Sequence, residues 1–520
     1  LDNFLRAAVF AALFLFSSAV SVIAQDVTLT SRDGDVEISG NLLGFDGEFY
    51  RIQTTYGELT VDGSGVICSG PACPSLTAFV AEISISGAAT MGEVLMPALI
   101  EAFALRNGYT VVRTAGDLTR FEYALKDGTS DQTLARFYFH VSNSDEGFAD
   151  LLADEADIAM SLREIRATEA KRGYEAGLGD MRAANRSRVL ALDGMVPIVS
   201  PGNPVKMISP QTLAEVFAGK IDNWQDLGGP DAPIGLHLLT RASGLAQAVE
   251  DQLMSPAREH LSTTIERHDR NLSLLSAVMR DPFAIGITSY AETGNTQRLT
   301  LTGSCGFSLD ASRQTIKTED YPLTAPMFLY VPARRLPRIA REFLAYTRSP
   351  SAQIVIRRAG FVDQSAEEIP VNLQGDRFVN AISVTGNDVP LTELQRMVTT
   401  LAPMKRLSIS FRFQAGSTRL DAQSRSNIQQ LARALEAGHY DARRIVFVGF
   451  SDGQGAAPAN REIALRRAQT VQSAVMAAAE TADLEQLDVT VDAFGEAMPM
   501  ACDDSAWGRQ VNRRVEVWAR

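Results

Sequence analysis

Histidine and cysteine are scarce in this 520-residue chain, five and four residues respectively. His140, His237, His260, His268 and His439 lie scattered with no ligand spacing, so the sequence offers no metal cluster or activated nucleophile for a hydrolase. Positive charge is short as well. Lys and Arg number 49 against 62 Asp and Glu, a formal net charge of −13, and no basic block or aromatic–basic stripe interrupts it. Nucleic acid is therefore not an expected partner. After residue 24 no apolar run is long enough to cross a bilayer. No internal repeat is visible.

What is there reads as an exported, multidomain α/β chain. Arg6 precedes an apolar run over residues 7–24 that ends Val22-Ile23-Ala24, with small residues where a signal peptidase reads. Residues 1–24 are thus expected to be a signal peptide. The alternative, an uncleaved anchor helix, fits less well, because the run is short and lacks a basic stop-transfer flank. No cysteine stands at the cut, so no lipid anchor is expected there. Cys68 and Cys73 can close a small disulfide loop in an oxidising compartment. Cys305 and Cys502 lie in different expected domains and are either free or paired across an interface.

Residues 26–75 read as a small β-domain, with Asp46-Gly47 as a hairpin turn. It assigns itself no function. From about residue 76 strands alternate with helices. A strand over 82–86 leads through Gly87, Ala89 and Thr90 into a helix. A second hydroxyl-rich helix start carries Ser142 and Ser144. A short strand delivers Ser161 and Arg163, and another delivers Arg241, Ser243 and Gly244. Helix starts, hydroxyls and two arginines together suit a dehydrated tetrahedral oxyanion. Each alone is an ordinary N-cap. Asp193, after a strand, is either an acceptor for the proton of hydrogen phosphate or a plain turn residue. Residues 363–405 read as a connector.

These segments, with 217–224 (Phe-Ala-Gly-Lys-Ile-Asp-Asn-Trp) and Tyr321-Pro322-Leu323, resemble the periplasmic phosphate-binding proteins of the PstS type over residues 78–362. The resemblance implies two α/β lobes joined by crossing strands, with the anion between them. It places Ala89, Thr90, Ser144, Ser161, Arg163, Arg241, Ser243 and Gly244 around the cleft. Ala88-Ala89 and Leu245 stand where that family often has hydroxyl residues.

Residues 445–450 form a short apolar strand ending at Ser451-Asp452. Beyond it Ile463, Arg467, Val471 and Val475 recur at helical spacing, which puts an arginine in an apolar seam with Asp452 as its nearest acceptor. Together with Gly455, Asn460 and Asn512-Arg513-Arg514-Val515-Glu516, this stretch resembles the OmpA C-terminal domain over residues 406–520. The resemblance implies that Asp452 and Arg467 grip the amino and carboxylate groups of diaminopimelate in the peptidoglycan stem, with Asn460 and Arg513 shaping the site. Phe450-Ser451 replaces the His-Thr usual in that family.

The combined expectation is a non-enzymatic binding protein of the periplasm. It would capture inorganic phosphate or a similar oxyanion and be tethered to the cell wall, with the outer membrane left open. Its partners would be peptidoglycan and an ABC transporter or envelope receptor; no cofactor is expected. The alternative is an envelope docking protein with a degenerate cleft.

Overall fold

The computed structural model describes residues 26–75, 79–117, 119–183, 185–384, 389–413, 417 and 419–520. The expected signal peptide lies outside the described residues. The chain folds as two compact units.

The smaller unit runs to Ala81 and includes Arg335–Arg341. It is one antiparallel sheet in the order Gly57–Asp62, Phe49–Thr54, Glu37–Phe45, Val27–Ser31, Val66–Ser69. Val27, Leu29, Tyr50 and Ile52 fill its small core. At the expected hairpin, Gly47 takes φ +93, a conformation that suits glycine, and Asp46 accepts from the amides of Glu48 and Phe49. Cys68 and Cys73 are bonded, and Arg335 donates to both Asp46 and Glu48. So few buried apolar residues make such cross-links valuable.

The larger unit is built on a long mixed sheet. The strand Ser187–Val199 is its spine. Its first half pairs with Thr324–Tyr330 and its second with Ala284–Ser289, so one strand passes from one lobe into the other. On the first side lie Ile158–Ser161, Ala81–Ala88 and the antiparallel strands Thr133–Ser142, Arg120–Asp127 and Tyr109–Ala115. On the second, Ala284–Ser289 is followed by the parallel strands Gly235–Leu239 and Glu266–His268. Ile158–Ser161 and Ala284–Ser289 are buried at every position, as strands covered on both faces must be.

The same unit holds the C-terminal module, a sheet in the order Glu368–Ile369, Lys405–Arg412, Arg514–Ala519, Arg444–Phe450, Asp488–Gly495. The helices Ala422–Glu436 and Ala457–Ala478 cover one face. The other is covered by Leu394, Met397, Leu401 and Met404, which pack on Val446, Val448, Phe450 and Trp518. Residues 363–405 are therefore not a free connector. They supply an edge strand and a covering helix to the module they precede.

Candidate functional site: an interlobe cleft and a buried arginine

The first cluster forms where the strand Ala81–Ala88 ends. Gly87 has φ +126, and a Cβ there would stand 2.1 Å from Met160 O, so only glycine lets the two parallel strands close up. The helix Ser144–Leu152 comes equally near: a Cβ on Gly147 would meet Gly87 Cα at 2.8 Å. Gly244 sits against Ala88 and Leu162 from the other lobe, where a Cβ would meet Ala88 Cβ at 3.1 Å. Small residues thus bring four chain segments to one point.

The expected ligands occupy that point in different ways. The Ser144 amide donates to Gln247 Oε1 at 3.1 Å, across the lobes, and Ser144 Oγ accepts from the Leu162 amide at 3.0 Å. Ser243 caps its helix by accepting from the Ala246 amide. Ala89 and Thr90 are part-exposed at the start of the helical run after the strand. Ser161 is fully buried, and its hydroxyl closes a turn on the backbone of Arg163. Arg241 is exposed and makes no ion pair among the described residues.

Arg163 is 8% exposed and is held by carboxylates. It donates to both oxygens of Glu169, at 2.9 and 2.7 Å, and to Asp145. Arg166 also pairs with Asp145 and with Asp251. Burial raises the Asp145 carboxyl, but Arg163 and Arg166 win and hold it below the ordinary carboxylate range. Arg163 Nε makes no hydrogen bond, but Asp251 Oδ2 lies 3.8 Å from it. Asp145, Glu169 and Gln247 were missed in the sequence. Gln247 had a signal, since it is a lone polar residue between the buried Ala246 and Ala248.

Asp193 is neither a turn residue nor open to the cleft. It lies within the spine strand, 1% exposed, where Ser289 Oγ donates to it at 2.6 Å and the Gly194 amide at 2.8 Å. Burial pushes its carboxyl up to about 6 against those bonds.

The second cluster lies in the C-terminal module. Asp452 follows the strand Arg444–Phe450 and is paired with Arg513 at 2.6 Å, where the sequence suggested Arg467. Arg467 is 9% exposed and has no ion pair among the described residues. Its guanidinium lies 5.3 Å from the Phe413 ring, and its Nε has no acceptor. Burial first and Arg513 second make the charged form of Arg467 harder to hold, with Asp452 opposing them. The hydroxyl of Ser451, next to Asp452 in sequence, is buried and makes no hydrogen bond. Asn460 sits in the same helical seam and donates to Glu496. The seam itself is Asn460, Ala464, Arg467, Val471 and Val475; Ile463 falls outside it. A buried guanidinium with an unpaired donor can take an anion as its partner.

A PBP superfamily domain matches residues 55–351, more than half of the chain, and an OmpA family domain matches residues 412–513. The chain belongs to the PBP superfamily. Its PBP domain is joined to a C-terminal OmpA domain. The phosphate-binding protein PstS of Borreliella burgdorferi is 22% identical over 210 residues, covering 39% of this chain and 71% of that protein. PstS of Bacillus subtilis is 28% identical over 164 residues, covering 32% and 52%. The chain thus spans between about half and seven-tenths of the length of these relatives. Among solved structures, an ABC-type phosphate transport receptor from Vibrio cholerae has a TM-score of 0.42 and 22% identity, covering 54% of this chain and 99% of the receptor.

The PBP and OmpA domains meet over a charged interface. Arg406 donates to both oxygens of Asp320, at 2.7 and 3.1 Å, and Glu516 accepts from Arg514 and Trp518, all buried. Burial alone would raise Asp320, but Arg406 holds it below its usual range. Glu319, next to it, lacks so good a partner. Arg412 spends its donors on the carbonyls of Val511 and Glu319, and burial pushes the Glu319 carboxyl up to about 8. Cys305 and Cys502, left open by the sequence, are bonded across this interface. A cavity of about 480 Å³ remains between the domains, lined by Arg163, Glu164, Glu319, Arg412, Asp421 and Arg513. Residues of both clusters, Arg163 and Arg513, line it.

Ser86, His140 and Asp150 also meet, beside a cavity of about 380 Å³. Ser86 Oγ donates to Asp150 Oδ2, and His140 Nδ1 lies 2.7 Å from the same oxygen. Ser86 Oγ also lies 3.4 Å from His140 Nδ1, so hydroxyl, imidazole and carboxylate all touch one another.

Proposed function

We propose that the protein is an exported periplasmic receptor. Its PBP domain captures phosphate or a related oxyanion between the lobes, and its OmpA domain grips the diaminopimelate stem of peptidoglycan. The observation that carries the receptor half is the convergence of Ala88, Ser144, Leu162 and Gly244 at one point between the lobes. Thr90, Ser144, Ser243 and Arg241 are the donors to an oxyanion there, and Ala89 and Gly244 offer their amides. PstS relatives support the choice of phosphate. The unpaired Arg467, with Asp452 and Arg513 beside it, supports the wall half. A tethered receptor cannot diffuse to a transporter, so scavenging, storage or sensing at the wall fits better than hand-over to an ABC transporter.

A second reading is an envelope docking protein whose cleft no longer admits a free anion. It is favoured by Gln247 Oε1 on the Ser144 amide and by the carboxylates that hold Arg163. Calorimetric titration of protein refolded without ligand separates the two. Phosphate heat absent with sulfate, and lost in Arg241→Ala, is the expected result. No heat with either anion from folded protein, and none in Gln247→Ala, sinks the receptor reading and leaves docking.

A further inference from the structure

The histidines that look scattered in sequence are not all scattered in space. The parallel strands Gly235–Leu239 and Glu266–His268 set His237 opposite Glu266 and Leu239 opposite His268. Side chains two apart on a strand share a face, so Glu266 and His268 flank His237 on one side of the sheet. His237 Nδ1 lies 2.9 Å from His268 Nε2. Glu266 Oε2 lies 3.8 Å from the first nitrogen, and its Oε1 lies 3.8 Å from the second. Both imidazoles are more than nine-tenths buried, at 7% and 8% exposure, while the glutamate side chain is 66% exposed.

These distances have a chemical meaning. Zinc binds nitrogen and carboxylate donors at about 2.0–2.2 Å in a tetrahedron, which holds donor atoms about 3.3–3.5 Å apart. The two nitrogens stand 2.9 Å apart, each has a different Glu266 oxygen at 3.8 Å, and one donor atom from each residue falls within 4.8 Å of the others; small rotamer changes bring one oxygen to both nitrogens and close the triangle. Without an ion, two buried rings facing each other share at most one proton between them. The far nitrogen of His237 is also placed. His237 Nε2 and Asp281 Oδ2 border the same bare face of Gly235, 3.6 and 3.2 Å from where a Cβ would stand. Glu266 is the open side of the triangle, through which an ion and a water enter.

We propose that His237, His268 and Glu266 form a binding site for zinc, with water completing the tetrahedron. The ion would pin the three-residue edge strand Glu266–His268 to its neighbour. None of these residues belongs to the oxyanion cleft or the wall site, so the proposal stands or falls apart from the function above.

The test is calorimetric titration of the chelator-treated full chain with zinc chloride, with magnesium chloride as control. The expected result is one zinc per chain, no magnesium heat, and a melting temperature raised by zinc. His268→Gln should weaken zinc about tenfold or more. Glu266→Gln, at an exposed position, should weaken it several-fold without moving the zinc-free melting temperature, so a folding defect in the histidine variant does not blunt the test. Absence of zinc binding overturns the proposal. So does binding that is unchanged in both variants, which would place the ion elsewhere.

Discussion

At the scale of single residues, Arg467 and Glu319 are opposite cases of buried charge. Arg467 keeps its charge and lacks an acceptor; a stem-peptide carboxylate would supply one. Arg467→Lys keeps the charge but loses the planar fork. It should cut retention on purified peptidoglycan by about tenfold or more, about 1.4 kcal/mol, with an unchanged circular dichroism spectrum. Equal retention would remove Arg467 from the site. Glu319 instead avoids its charge. Its folded carboxyl titrates near 8, against 4.5 for a free glutamate. Between those values the folded state holds a proton that the unfolded chain has lost. Stability from this group is therefore full below about pH 4.5 and falls as pH rises towards 8, by up to about 1.4 kcal/mol per pH unit. Glu319→Gln keeps a partner for Asn427. In urea unfolding it should match the parent at pH 4.5 and exceed it at pH 8. Parallel curves for parent and variant would show that Glu319 is ionised throughout.

At the scale of elements, the site depends on how closely strands and helices approach. Gly87→Ala places a methyl against Met160 O and requires φ +126 of an L-residue. It should destabilise by about 2 kcal/mol or more and abolish phosphate heat; thermal unfolding and titration of the same sample check both. A variant as stable as the parent would mean that the two strands have room to part. Much at this scale was legible in the sequence. The βα alternation, the Asp46-Gly47 hairpin and the apolar strand before Asp452 all carry periodic or turn signals that local physics enforces. What stayed hidden depends on contacts between distant segments. Asp193 reads as a turn residue because it stands beside a glycine, yet its pairing with Ala325, and that of the strand with Ala284–Ser289 from Met195 onward, keep it in a strand. Ile463 fits a helical stripe as well as Ala464 does, and only packing against the sheet decides between them. The acids around Arg163 come from separate helices, and nothing local predicts that they converge. His237 and His268 are 31 residues apart, and only a parallel pairing brings them together.

At the scale of the whole molecule, the two domains of the larger unit are joined by more than the chain that links them. The bond between Cys305 and Cys502 spans 197 residues. Loop entropy alone gives such a bridge about 3–5 kcal/mol. Cys305→Ser with Cys502→Ser should lower the melting temperature and split a single calorimetric transition into two, the PBP and OmpA domains melting apart. One transition at an unchanged temperature would mean that the buried ion pairs suffice alone.

That bridge also bears on how the protein would carry force in the proposed wall-bound state. If the OmpA domain is held by peptidoglycan as proposed, tension would enter at the module's helices and have to reach the PBP domain. A chain-only linkage would pass it through residues 363–405, peeling their covering helices from the sheet first. The covalent bridge offers a second, shorter load path directly into the lobe that carries Arg241 and Ser243. Under the proposed tethering, load would cross into that lobe through the bridge as well as through the chain, so the receptor would be mounted on its support like a bracket and not hung from it like a bead on a thread.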